Sequence, residues 1–105
     1  MSLGQTLDAL ADTIAARAGA DPAQSYTASL LAKGRAHCAK KLGEEAVETA
    51  LAAVAEDKTH IAEEAADLLF HLLVTLRACD VAPAAVAAAL EARRGASGHD
   101  EKSRR

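Results

Sequence analysis

Residues 61–76 read IAEEAADLLFHLLVTL and carry the strongest structural signal in the chain. Their apolar residues recur three and four positions apart, which is the spacing of one face of an α-helix. The apolar stripe is wide enough to face more than one neighbouring helix, so we expect this segment to be central in a helical bundle. We expect its helix to run from an N-cap at Asp57 to about Ala78.

A second long helix is expected immediately before this segment. It starts at about Lys33 or Ala36 and ends at Ala55, because Gly34 weakens the pattern at its beginning. Its apolar residues are predicted to point inward, and they are Leu42, Val47, Leu51 and Val54.

Shorter helices are expected on both sides of this pair. A first helix is predicted to end at Gly19 and to carry an apolar stripe of Leu3, Leu7, Leu10 and Ile14. A short helical segment is expected around Leu30 and Leu31, and a last helix from Pro83 to near Gly95, anchored by Val86 and Leu90.

These patterns predict an all-α fold, a bundle of four to five helices that occupies residues 1–95 as one domain. Residues 96–105 are small, polar and of mixed charge, and we expect this tail to be disordered if nothing binds it.

The composition predicts a thin core. Half of the residues are apolar, but about a quarter of the chain is alanine, and there is one Phe, one Tyr and no Trp. Alanine favours helices but adds little buried area, so we expect a homodimer to supply the missing core. Cys38 and Cys79 fit no metal spacing and are expected to be reduced core thiols.

The charge pattern argues against some classes of partner. The net charge of −3 gives no general attraction to nucleic acid or to anionic membranes. No apolar run approaches the length of a membrane span and no signal peptide pattern is visible, so we expect a cytoplasmic protein.

Two acidic clusters are the best indication of function. Glu44, Glu45 and Glu48 lie within one helical turn, and Glu64 and Asp67 do so on the next helix. If the two helices are antiparallel, at least four carboxylates can converge, and oxygen-only ligands favour Mg²⁺ or Mn²⁺. The chain contains no Glu-x-x-His, which argues against a di-iron site.

Basic residues precede the first acidic cluster on the same helix face. Lys33, His37 and Lys41 lead into Glu45 at intervals of four, with Lys40 beside them, and this change of sign suits a metal-bound phosphate ligand. Simple surface pairing, as i,i+4 ion pairs, is the alternative. His71 is open to three interpretations: a partner of the nearby carboxylate, a group behind the metal ligands, or a hydrogen-bonded histidine at the core edge.

The spacing of the carboxylates resembles that of the all-α MazG-like nucleotide pyrophosphatases. The flanking segments resemble one family within them, the phosphoribosyl-ATP pyrophosphatases of histidine biosynthesis. These segments are Ser25-Tyr26-Thr27, Lys33-Gly34, Lys40-Lys41-x-Gly43-Glu44-Glu45-Ala46-x-Glu48, Glu63-Glu64-Ala65-Ala66-Asp67-Leu68-Leu69-Phe70-His71, Arg93-Arg94-Gly95-x-Ser97-Gly98 and Glu101-Lys102.

The resemblance implies hydrolysis of phosphoribosyl-ATP to phosphoribosyl-AMP and pyrophosphate, the second step of histidine biosynthesis, in a Mg²⁺-dependent homodimer. It assigns metal binding to Glu45, Glu48, Glu64 and Asp67, and the activation of water to Glu44, which is equally suited to ligate metal. It assigns substrate phosphate binding to Lys33, Lys40 and Lys41. His37, His71, Arg93 and Ser97 are further candidate site residues, and the resemblance places Arg93 and Ser97 at the phosphoribosyl end of the substrate or at a neighbouring subunit.

Two alternative functions stay open. A house-cleaning enzyme that hydrolyses ordinary or damaged (d)NTPs would use the same carboxylates. A non-enzymatic helical interaction module would have the acidic clusters as a solvated surface. The number of metal ions and the base and sugar specificity do not follow from the spacing of the residues.

Overall fold

The computed structural model describes residues 1–55 and 57–95, which form five α-helices and no β-strand. The helices are α1 (Leu3–Arg17), α2 (Tyr26–Ala32), α3 (Arg35–Ala55), α4 (Lys58–Ala78) and α5 (Pro83–Ala92). The all-α prediction is confirmed. The predicted tail, residues 96–105, lies outside the described residues.

Helices α1, α2 and α4 begin where a side chain satisfies free backbone amide groups. The Ser2 hydroxyl accepts a hydrogen bond from the Gln5 amide at 3.1 Å, and the Gln5 side chain accepts one from the Ser2 amide at 2.8 Å. This reciprocal capping box fixes the start of α1. Asp57 caps α4 as predicted, because its carboxylate accepts from the amides of Thr59 and His60.

Gly34 separates α2 from α3. Its φ of +93° lies in the region that glycine adopts without steric cost. The backbone therefore turns at this residue, and α3 begins at Arg35, between the two starting points that the sequence left open.

Helices α3 and α4 form an antiparallel pair, which is the arrangement that convergence of the acidic clusters requires. The Thr49 hydroxyl of α3 donates to the backbone oxygen of Glu64 at 3.1 Å, early in α4. Near the other end, the Thr75 hydroxyl of α4 donates to the backbone oxygen of Cys38 at 3.2 Å, early in α3. The later part of each helix thus lies beside the earlier part of the other, which brings the two acidic clusters to one interface.

The core lies where α1, α2, α3 and α4 meet. Ile14, Leu30, Cys38 and Val74 are each at most 2% exposed. Half-buried apolar residues surround them, namely Leu10, Leu31, Phe70, Leu73 and Ala78. Both cysteines are free thiols, and Cys38 is buried as predicted, whereas Cys79 is half-buried.

One prediction about α3 is wrong. Val47, Leu51 and Val54 were expected to point inward, but they are 59%, 66% and 82% exposed. The face of α3 that packs in the chain carries Cys38 and Ala52 instead, both at most 3% exposed. Apolar residues at helical spacing indicate a face that is covered, but the covering surface does not have to belong to the same subunit.

The last helix makes few contacts with the rest of the bundle. No residue of α5 is buried, and Leu90 is 62% exposed, so its expected role as an anchor is wrong within one subunit. Val86 is half-buried. Within residues 1–55 and 57–95, no single helix has both the length and the apolarity to cross a bilayer; α4 and α5 meet these criteria only together, across a bend of 109°.

Candidate metal and phosphate site

Three carboxylates meet at the interface between α3 and α4. Glu45 and Glu48 lie one turn apart on α3, and Glu64 faces them from α4. One oxygen from each of the three lies within 4.8 Å of the others. We call these three residues the acidic triad.

Two oxygens of the acidic triad are buried and unpartnered. Oε2 of Glu45 and Oε2 of Glu64 are shielded from solvent and have no hydrogen-bond partner among the residues that the structure describes. Burial of a polar atom without a partner is unfavourable, so these oxygens are suited to a cation between the two helices. The oxygen-only ligands fit a hard divalent ion such as Mg²⁺ or Mn²⁺.

The pKa values of the triad follow from the same geometry. Burial raises the pKa of Glu45, and the adjacent carboxylate of Glu48 raises it further. Burial also raises the pKa of Glu64, again with a contribution from Glu48. In both cases the structure disfavours the negative charge, as expected where like charges share a partly buried site.

Asp67 and Glu44 lie beside the triad rather than within it. Asp67 is exposed and its oxygens are outside the 4.8 Å group, although its charge raises the pKa of both Glu45 and Glu64. Glu44 is exposed, and its carboxylate lies 3.3 Å from the ammonium of Lys41. The structure therefore brings together three of the four predicted metal ligands.

The predicted phosphate-binding residues lie upstream of the triad. Lys33 ends α2, and Lys40 is exposed on α3. Lys41 is half-buried, and its hydrogen bond and ion pair with Glu44 raise its pKa. His37 is half-buried on the same helix. Helix α3 thus carries basic side chains in its first half and the acidic cluster after them.

The remaining candidates lie near the end of the described chain. Arg93 is exposed directly after α5. Ser97 lies outside the described residues.

His71 lies one turn after Asp67 on α4 and is buried, at 5% exposure. Its Nδ1 lies 2.9 Å from the backbone oxygen of Asp67, which only accepts, so Nδ1 carries a proton. In the neutral imidazole, Nε2 then accepts from the Tyr26 hydroxyl at 3.3 Å. The geometry fits a hydrogen-bonded histidine at the core edge and not a partner of the Asp67 carboxylate, because the bond is to the Asp67 backbone. His71 also lies close enough to Glu45 to lower its pKa, so its position fits a group behind the metal ligands as well.

A cleft of about 400 Å³ opens beside the triad. Glu48 and Glu64 line one part of it, and Leu51, Ala52, Ala55 and His60 line the remainder. A second cleft of about 410 Å³ lies between α1 and the turn from α4 to α5, and none of the predicted site residues lines it. The acidic triad thus borders an open, shallow cleft on the surface of the helix pair.

Comparison with known proteins identifies the family of the chain. The model of the phosphoribosyl-ATP pyrophosphohydrolase family matches residues 7–94. The chain belongs to this family. The family resemblance inferred from the sequence is confirmed, and the matched region includes the acidic triad, Asp67 and all three predicted lysines.

Curated relatives in the phosphoribosyl-ATP pyrophosphohydrolase family cover nearly the whole chain. A phosphoribosyl-ATP pyrophosphatase of Cereibacter sphaeroides is 58% identical over 99 residues, which are 94% of this chain and 96% of the relative. The protein of that name from Dinoroseobacter shibae is 59% identical over 93 residues, 89% of this chain and 91% of the relative. That from Parvibaculum lavamentivorans is 57% identical over 99 residues, 94% of this chain and 91% of the relative.

The structure adds residues to the site that the sequence did not single out. His60 lies one turn before Glu64, with its Nε2 3.9 Å from the Glu64 carboxylate. Thr49 contacts the backbones of Glu45 and Glu64. The i,i+4 spacing of His60 and Glu64 in the sequence could have indicated the contact between these two residues. Thr49 has no such signal, because its contact with Glu64 depends on how the two helices pack.

Proposed function

We propose that this chain is a hydrolase that cleaves phosphoribosyl-ATP to phosphoribosyl-AMP and pyrophosphate, in the second step of histidine biosynthesis. The observation that carries the proposal is the acidic triad, with the buried, unpartnered oxygens of Glu45 and Glu64, in a chain of this family. The names of the relatives, at 57–59% identity over about nine tenths of the chain, support the substrate.

The acidic triad would hold Mg²⁺, or Mn²⁺ in its place. Glu45, Glu48 and Glu64 provide one oxygen each, and Asp67 lies close enough to act on them electrostatically. When bound, the metal ion supplies positive charge that neutralises triphosphate oxygens and makes the attacked phosphorus more electrophilic.

The neighbouring side chains bind the substrate phosphates and accept the proton of the attacking water. Lys33, Lys40 and Lys41 offset the negative charge of the triphosphate as point charges. Glu44 is an exposed carboxylate next to Glu45 in the sequence, and it orients the attacking water and accepts its proton. Its ion pair with Lys41 holds it beside one of the phosphate-binding lysines.

A second copy of the chain would complete the enzyme. Val47, Leu51 and Val54 form an exposed apolar stripe on α3, and Leu51 also lines the cleft beside the triad. Exposed apolar stripes of this kind are usually covered by a partner. We therefore assign this stripe, defined by these three residues, to a homodimer interface that borders the active site.

The direct test is release of pyrophosphate from phosphoribosyl-ATP, compared with release from dNTPs, with and without Mg²⁺. We expect Mg²⁺-dependent release with a strong preference for phosphoribosyl-ATP. Equal rates on dNTPs would instead indicate a house-cleaning nucleotide pyrophosphatase. No release from any nucleotide in the presence of Mg²⁺ would refute the enzymatic proposal.

A further inference from the structure

We propose that Thr49 is a positioning residue for the metal site, because its hydroxyl fixes α3 against α4 at the level of the acidic triad. The hydroxyl oxygen lies 2.8 Å from the backbone oxygen of Glu45 and 3.1 Å from that of Glu64. The role is defined by the metal that the acidic triad would hold, so this inference rests on the proposed function.

The contact connects the two residues that need to be held in register. A hydroxyl has one proton, which Thr49 shares between the two carbonyl oxygens. One of these carbonyls belongs to its own helix, and the other belongs to the partner helix. Glu45 and Glu64 are also the residues whose Oε2 atoms are buried without a partner.

Close approach of the helices makes this contact possible. A side chain as short as threonine reaches a backbone oxygen of another helix only where the two backbones are near each other. Ala52, less than one turn after Thr49, is 3% exposed and keeps the interface narrow at this level.

A metal site between two helices depends on the exact register of one helix against the other, and the Thr49 hydrogen bonds fix that register. A slip of one residue along an α-helix moves a side chain by about 1.5 Å and rotates it by about 100°. Mg²⁺ demands near-ideal octahedral geometry with short bonds of about 2.0–2.1 Å to its oxygens. A slip of α3 along α4 would therefore separate Glu64 from Glu45 and Glu48 by more than a metal site tolerates.

Thr75 is a matched control within the same helix pair. Its hydroxyl lies 3.2 Å from the backbone oxygen of Cys38 and 2.7 Å from that of His71. It makes the same two kinds of contact as Thr49, one within its helix and one across the interface, but it bonds to no residue of the acidic triad. A purely structural role predicts similar consequences for loss of either hydroxyl.

The experiment measures Mn²⁺ affinity of the apo-protein by electron paramagnetic resonance, at a temperature where circular dichroism shows each variant to be folded. We expect Thr49→Val to bind Mn²⁺ about tenfold more weakly, at the lower end of the range for loss of groups that support metal ligands, and Thr49→Ser and Thr75→Val to stay within about twofold of the wild type. Thr49→Ala serves the same purpose if the valine variant does not fold.

The outcomes separate this inference from the proposed function. If the wild type binds Mn²⁺ and loss of the Thr49 hydroxyl leaves the affinity unchanged, the positioning role is refuted while the metal site stands. An equal weakening in Thr75→Val refutes it as well, because the effect would then reflect general loosening of the helix pair. A wild-type chain that binds no Mn²⁺ overturns the metal site and the role of Thr49 together.

Discussion

Truncation of Leu51 should weaken the homodimer strongly. Leu51 is 66% exposed in the single chain and lies in the middle of the apolar stripe of α3. Leu51→Ala removes three carbons, each worth about 0.8 kcal/mol when it passes from water to a buried site. Since about two thirds of the side chain is available for burial by a partner, the loss is about 1.6 kcal/mol per copy.

A two-fold symmetric interface contains each residue twice, so the loss for the dimer is about 3 kcal/mol. This corresponds to a dissociation constant about a hundredfold higher. Sedimentation equilibrium of the wild type and the variant over a range of concentrations measures the constant directly.

Leu3→Ala is the matched control for this prediction. Leu3 is 65% exposed, so it is the same residue type at nearly the same exposure. It lies at the start of α1 and not in the apolar stripe of α3. We expect its variant to dimerise like the wild type. A wild-type chain that is monomeric at micromolar concentration, or equal weakening by the two alanine substitutions, would refute the assignment of the interface.

Three further predictions concern the site and the core. Glu64→Gln should abolish pyrophosphate release yet raise the thermal midpoint of the apo-protein near pH 7, because the fold disfavours the negative charge of Glu64. Glu63→Gln, at an exposed neighbouring residue, should change neither the activity nor the midpoint. Loss of activity in both variants would contradict this prediction. Burial raises the pKa of Cys38, and the charge of Cys79 raises it further. The contribution of the neutral Cys38 thiol to stability is therefore complete below the unfolded-state pKa of about 8.5, and it is lost as the pH rises through the folded-state pKa. Urea unfolding at pH 7 and pH 10 should therefore show a larger decrease for the wild type than for Cys38→Ala, and equal decreases would argue against a buried thiol. Asp57→Ala should cost about 1 kcal/mol of unfolding free energy through loss of the α4 cap, and an unchanged urea midpoint would show that the cap is not formed.

Most of the secondary structure was predictable because its causes are local. Helix α4 carries a complete apolar stripe, and Asp57 caps it as the sequence indicated. Gly34 was expected to weaken the beginning of α3, and the chain does break there, with a positive φ at this glycine. Local spacing also brought Glu45 and Glu48 onto one face.

Features that depend on packing between helices were predicted less well. The apolar character of Val47, Leu51 and Val54 was clear, but the sequence does not say which surface covers them, and within the chain they are exposed. The rotation of α3 relative to α4 likewise determines that Glu64 joins the triad while Asp67 lies beside it. Thr49 was missed because its decisive contact is made across this interface.

The most direct test of the site is an anomalous diffraction map of crystals grown with Mn²⁺. We predict one or more peaks within bonding distance, about 2 Å, of the carboxylate oxygens of Glu45, Glu48 and Glu64. A map with Mn²⁺ bound elsewhere, such as the cleft between α1 and the turn from α4 to α5, and with no peak at these three carboxylates would contradict the assignment of the acidic triad as the metal site.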